Sequence, residues 1–127
     1  MCVLLIVEDD PGIQDVLRLF AEANDMRAVV AGTGEAAIRE AESIRPDLAI
    51  IDLGLPDRDG IEVISSIRSW SRLPIIVLSA RTRESHKRAA FQAGADDYVT
   101  KPFSVPELLS SIRALLQPGL DPPAARR

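Results

Sequence analysis

The sequence predicts an α/β fold: five parallel strands in one sheet, wound with helices on both faces. The runs Val3–Val7, Leu48–Ile51 and Ile75–Leu78 are continuously apolar rather than alternating, as in strands covered on both sides. Between the apolar runs the spacing changes to a helical period, so strand and helix alternate along the chain. With 127 residues, one domain around a proper core fits. Right-handed crossovers then give a three-layer, doubly wound arrangement.

Taken in order, Val3–Val7 is the first strand, and Glu8-Asp9-Asp10 ends it. Asp10 before Pro11 reads as an N-cap, and Ile13, Val16, Leu17 and Phe20 follow helical spacing inward. Arg27–Ala31 reads as a shorter, weaker second strand, and Gly32-Thr33-Gly34 turns into a helix with Ala37, Ile38, Ala41 and Ile44 inward. Arg45-Pro46-Asp47 breaks that helix before the central strand Leu48–Ile51. The run stops at Asp52, and the turn formers Gly54, Pro56, Asp57 and Gly60 follow at once. Gly60, Val63, Ile64 and Ile67 give the third helix, with Asp57 and Asp59 as turn residues and Trp70 as core or helix-end packing. Pro74 opens the fourth strand, which stops at Ser79-Ala80. The fourth helix, about Glu84 to Ala93, turns His86, Ala89, Ala90 and Ala93 inward; these are mostly small and anchor it weakly, and Gly94 ends it. A polar-edged fifth strand, Asp97–Thr100, leads to Lys101-Pro102-Phe103. Ser104-x-x-Glu107 is a capping box for a last helix lined by Leu108, Leu109, Ile112, Leu115 and Leu116. Residues 1–117 form the domain, and the Pro-rich 118–127 reads as a linker or tail, disordered in isolation.

Composition narrows the function. A net charge of −4 gives no basic footprint for nucleic acid, so any DNA contact belongs to another domain. The one cysteine, Cys2, excludes an internal disulfide and fits a reducing, cytoplasmic setting. No apolar run approaches a membrane span and no signal peptide is visible.

In an open α/β sheet, ligands bind at the carboxyl ends of the strands. There the first strand delivers Glu8 and Asp9, the third Asp52, the fourth Ser79 and the fifth is followed by Lys101. Each has a plainer reading: helix capping for the acids, a strand-end turn for Ser79, a solvated surface for Lys101. Together they would place three mutually repelling carboxylates beside a hydroxyl and an ammonium. Hard oxygen ligands in that pattern suit Mg²⁺, and a metal and an ammonium around one carboxylate suit phosphoryl transfer to it. His86 lies at a helical position far from the strand ends and is not a candidate phosphodonor.

Glu8-Asp9, Asp52 with Pro56 and Gly60, Ser79-Ala80 and Lys101-Pro102-Phe103, in this order and spacing over about residues 3–117, resemble the receiver domain of two-component response regulators. The runs Asp-Leu-Gly-Leu-Pro-Asp, Leu-Ser-Ala-Arg and Ala-Gly-Ala-Asp-Asp-Tyr resemble its OmpR-like subfamily. Arg68-Ser-Trp70-Ser with Gly54 is similar to the potassium-uptake regulators within it. The resemblance implies a (βα)5 flavodoxin-like receiver fold with strand order 2-1-3-4-5. It implies that Asp52 accepts a phosphoryl group from a sensor histidine kinase, with Ser79 and Lys101 on that group. It implies Mg²⁺ on Asp9, Asp52 and the Gly54 carbonyl, with Glu8 acting mostly through water. Tyr98 matches an aromatic that swings inward as Ser79 moves, and the Lys101-Pro102 peptide is expected to be cis.

The same resemblance makes the fourth helix, fifth strand and fifth helix an output face, carrying Lys87, Asp96, Asp97, Glu107 and Arg113, for a phosphorylation-dependent homodimer. Ser111 stands where the subfamily usually has an arginine, which removes one expected partner of Asp97; Arg113 is the candidate substitute. DNA would be reached only through a C-terminal domain outside this chain. A stand-alone receiver working through protein contacts is the other reading. A haloacid-dehalogenase-type phosphatase would need an aspartate where Gly54 stands.

Overall fold

The computed structural model describes residues 2–116. The tail expected from 118 onward lies outside them. The elements are β1 (Cys2–Val7), α1 (Pro11–Ala23), β2 (Met26–Ala31), α2 (Gly34–Ile44), β3 (Leu48–Ile51), α3 (Gly60–Arg68), β4 (Ile75–Ser79), α4 (Glu84–Ala93), β5 (Asp97–Thr100) and α5 (Val105–Leu116). All five strands are parallel, in the order β2-β1-β3-β4-β5.

The apolar strands are apolar because both faces are used. Leu5, Val7, Ala49, Ile51, Ile75 and Val77 face one core with Ala37 and Ala41 of α2, Val63, Ile64 and Ile67 of α3, and Ala90 of α4. Their neighbours Leu4, Ile6, Leu48, Ile50, Ile76 and Leu78 face a second core with Leu17 and Phe20 of α1 and Leu108 and Ile112 of α5. Helices α2, α3 and α4 therefore cover one face and α1 and α5 the other.

Two expectations need correction. Strand β2 begins at Met26 and pairs with β1 along six residues, so it is no shorter than β1. Buried Met26 anchors its start, right after the turn in which Asp25 takes φ 59°. Val16 is 47% exposed, because the buried stripe of α1 runs through Leu17, Phe20 and Ala21 and leaves it on the flank. Of the two readings of Trp70, the structure shows helix-end packing: it lies 40% exposed just after α3. Helix α4 is weakly anchored, as its small inward residues imply: only Ala90 is fully buried, and His86, Ala89 and Ala93 are half-buried. Its N-cap, Arg83, offers no side-chain hydrogen bond, so the start of α4 is held by little apolar area and no cap.

Candidate functional site

Register brings the reactive groups together. Val7 pairs with Ile51, and Ile51 with Val77, so the next residues of β1 and β3, Glu8 and Asp52, leave the sheet side by side. Ligand oxygens of Glu8, Asp9 and Asp52 all lie within 4.8 Å of one another. Asp52 is 8% exposed; its Oδ1 accepts from the Gly54 N–H at 3.2 Å and its Oδ2 from Lys101 Nζ at 3.3 Å. Glu8 is 2% exposed, with Oε1 2.8 Å from Lys101 Nζ and Oε2 accepting from the Asp10 N–H. Asp9 is exposed at the mouth.

Lys101 reaches this edge because its N–H donates to the Ser79 carbonyl at 2.8 Å, extending the β4–β5 ladder by one residue. The Lys101–Pro102 peptide is cis. Ser79 is buried, and its Oγ accepts from the Arg81 N–H at 3.1 Å. Gly60 brings the first turn of α3 against the end of β3. A Cβ there would run into the Asp52 carbonyl oxygen and come within 2.7 Å of Leu53 Cα.

Burial pushes the Glu8 carboxyl above the usual carboxylate range, and the negative charge of Asp52 adds to this; the Lys101 bond opposes it without prevailing. Burial alone would lower the Lys101 ammonium, but its bond to Glu8 and the charge of Asp52 outweigh that and hold it above its ordinary value. A buried, net-negative cluster of hard oxygens with one ammonium as its sole cation among the described side chains suits a small divalent cation such as Mg²⁺.

The loop after Asp52 is braced by residues that read only as turn formers. Asp57 accepts from the Gly34 and Glu35 N–H groups at 2.8 and 3.0 Å, tying the loop to the start of α2. Asp59 caps α3 through Oδ1 and meets Arg81 Nη1 through Oδ2 at 3.1 Å. A cap at Asp59 was legible from its place just before Gly60; the long-range bonds left no signal in sequence.

The expected output residues are only partly together. Lys87 Nζ lies 5.9 Å from the centre of the Tyr98 ring, and the Tyr98 hydroxyl donates to the Arg81 carbonyl at 2.7 Å. Asp97 accepts from the Ser111 hydroxyl at 2.7 Å, so Ser111 and not Arg113 is its partner within the chain. Arg113 lines a groove with Cys2, Asn24, Asp25 and Met26, toward the amino ends of β1 and β2. Asp96 faces away from the proposed face: its Oδ2 accepts from Arg68 at 2.9 Å and from the Ile75 N–H at 2.9 Å. Glu107 is exposed, and the Ser104 hydroxyl accepts from its N–H.

Comparison with known proteins places this geometry. Residues 4–113 match the family profile of the response regulator receiver domain. The KDP operon transcriptional regulatory protein KdpE of Escherichia coli is 50% identical over 117 residues, 92% of this chain and 52% of that protein. The chain thus spans about half the length of the curated relatives it matches. The BeF3-activated N-terminal receiver domain of Klebsiella pneumoniae RstA superposes with a TM-score of 0.87 at 28% identity, over 91% of this chain and 98% of that one. The receiver domain of the Pseudomonas aeruginosa sensor kinase PA1611, with magnesium coordinated in its active-site cleft, gives 0.84 at 32% identity, over 91% and 97%.

Proposed function

Because this chain belongs to the response regulator receiver domain family, we propose that it is a signalling switch thrown by phosphorylation of Asp52. The observation that carries this is the Asp52 carboxylate, buried beside Glu8 and Asp9 and 3.3 Å from the Lys101 ammonium. In the proposed step an Asp52 oxygen attacks the phosphorus of a phosphohistidine on a sensor histidine kinase. The new P–O bond forms as the P–N bond breaks, and its electron pair returns to the imidazole. Lys101 neutralises one phosphoryl oxygen and the Ser79 hydroxyl donates to another. Glu8, Asp9, Asp52 and the Gly54 carbonyl would hold Mg²⁺, which supplies charge neutralisation on the phosphoryl oxygens when bound. The magnesium in the similar PA1611 receiver supports that choice. The chain is a phosphoryl acceptor and slow self-dephosphorylating switch rather than a metabolic enzyme.

In this reading residues 1–117 are the receiver and the Pro-rich 118–127 is a linker or tail. Ser79 and Tyr98 relay the change to the face made by α4, β5 and α5, where Lys87 and Glu107 control a homodimer while Asp97 is held within the chain by Ser111. The similarity to KdpE supports a cytoplasmic transcription regulator that touches DNA through a C-terminal domain outside this chain. The same site would serve a stand-alone receiver. Acetyl phosphate with Mg²⁺ should add one hydroxylamine-labile phosphoryl group to the wild type and none to Asp52→Asn. Labelling of that variant at the wild-type rate would sink the reading.

A further inference from the structure

The loop between β4 and α4 carries no regular structure from 81 to 83, and α4 begins without a side-chain cap. Arg81 nevertheless makes four polar contacts to three other elements. Its guanidinium reaches Asp59 Oδ2 at 3.1 Å and the Leu53 carbonyl at 3.3 Å, both on the loop that follows Asp52. Its N–H donates to Ser79 Oγ, and its carbonyl accepts from the Tyr98 hydroxyl.

We propose that Arg81 is a positioning residue that couples the Asp52 loop to Ser79 and Tyr98: its side chain fixes the two peptide groups on which both hydroxyls are oriented. The chemistry at Ser79 depends on this. A hydroxyl has one proton and two lone pairs. The Arg81 N–H occupies one lone pair of Oγ and so limits the directions open to its proton; toward Asp52 the acceptor for that proton is the phosphoryl group. The same residue's carbonyl is the docking point of Tyr98. Any shift of the Leu53–Asp59 loop that moves the guanidinium therefore moves both hydroxyl partners together. The planar fork of an arginine suits this, since it spans a carboxylate and a carbonyl at once where an ammonium meets one of them. The inference rests on the reading of Asp52 as the phosphoacceptor.

The chain holds a single tyrosine, so 3-fluorotyrosine labelling reports Tyr98 alone. Arg81→Ala should shift or broaden that ¹⁹F resonance and lower the maximal rate of phosphorylation by acetyl phosphate on the order of tenfold, short of the roughly hundredfold that an ångström of misplacement costs. Mg²⁺ affinity and the half-saturating acetyl phosphate concentration should keep their wild-type values. Asp59→Asn keeps the Oδ1 cap and removes only the ionic partner, so it should reproduce both changes in smaller measure and carries the test if Arg81→Ala does not fold. A folded variant that retains either the wild-type resonance or the wild-type maximal rate overturns the proposal. If instead wild type and Asp52→Asn are labelled alike, the phosphoacceptor reading fails, and the Tyr98 resonance of the unphosphorylated variants alone decides the role of Arg81.

Discussion

Lys101 Nζ lies 2.8 Å from Glu8 Oε1 but 3.3 Å from Asp52 Oδ2, so the ammonium is held more closely by Glu8 than by Asp52. Glu8 is almost fully buried, and removing its cation leaves it and Asp52 facing each other. Lys101→Met should therefore destabilise the metal-free fold by about 1–3 kcal/mol, below a fully buried pair because Glu8 can take up a proton. Mg²⁺ should restore part of the loss by binding only the folded state. Urea unfolding with and without Mg²⁺ checks both; a metal-free stability equal to wild type would show that Lys101 does not neutralise this cluster.

Asp9 is the exposed member of the acidic cluster, which separates its two expected effects. Asp9→Asn should weaken Mg²⁺ binding, because ligand charge supplies most of the affinity for a hard cation. The metal-free fold should change by less than about 0.5 kcal/mol, as for an ordinary surface substitution. Titration calorimetry and unfolding on the same variant test the split; unchanged Mg²⁺ affinity would remove Asp9 from the ligand set.

What was legible in the sequence follows from how local its cause was. Ile75–Leu78 reads as a buried strand because consecutive apolar residues need cover on both faces, and β4 is covered on both. Glu8, Asp52, Ser79 and Lys101 were legible because parallel strands put their carboxyl ends on one edge. The long-range side-chain bonds of Asp57 to α2, of Asp59 to Arg81 and of Arg81 to Leu53 were not, since those partners lie 22 to 28 positions apart and are brought together by loop paths without periodicity. The Asp96 carboxylate is a further case, since its partner Arg68 lies 28 positions earlier.

Gly60 allows α3 to start against the backbone of β3. A Cβ would meet the Asp52 carbonyl oxygen and Leu53 Cα, backbone atoms that cannot swing aside. Gly60→Ala should cost about 1–3 kcal/mol as overpacking and slow phosphorylation of Asp52 by displacing it. Gly54→Ala is the control, as nothing lies within 4 Å of a Cβ there. Equal stability of the two variants would refute the close-approach account.

The Gly34 N–H, then the Glu35 N–H, hold the Asp57 carboxyl below its usual range. A group whose folded value is depressed stabilises the fold above its unfolded value, about pH 4, and that contribution is lost as pH falls through the folded value. Asp57→Asn keeps an acceptor but does not ionise. The stability gap between wild type and Asp57→Asn should therefore be constant near neutrality and narrow below about pH 4. Denaturant unfolding across that range reads the gap, and one that stays constant down to about pH 3 would mean the two N–H bonds do not depend on the charge.

The proposed dimerisation through α4, β5 and α5 would depend on how Lys87 is held. Its ammonium lies 5.9 Å from the Tyr98 ring centre, within reach of a cation–π contact. Tyr98 in turn is held by the Arg81 carbonyl, next to the peptide group that binds Ser79. A phosphoryl group on Asp52 that draws Ser79 toward it disturbs this set, and α4, with only Ala90 fully buried, offers little resistance. Lys87 is then released to meet a carboxylate of a second copy, with Glu107 the exposed candidate, while Asp97 stays bonded to Ser111. Beryllofluoride with Mg²⁺ should raise dimer affinity, and added salt should lower it because an exposed pair is screened. Lys87→Ala should lose roughly severalfold in affinity, in line with an exposed ion pair worth at most about 1 kcal/mol. Ser111→Ala, which frees Asp97 for a partner, should bind as tightly as wild type or more so. Sedimentation velocity on the three chains reads the order. If wild type stays monomeric with beryllofluoride, or Lys87→Ala dimerises as well as wild type, Lys87 is not part of the output contact.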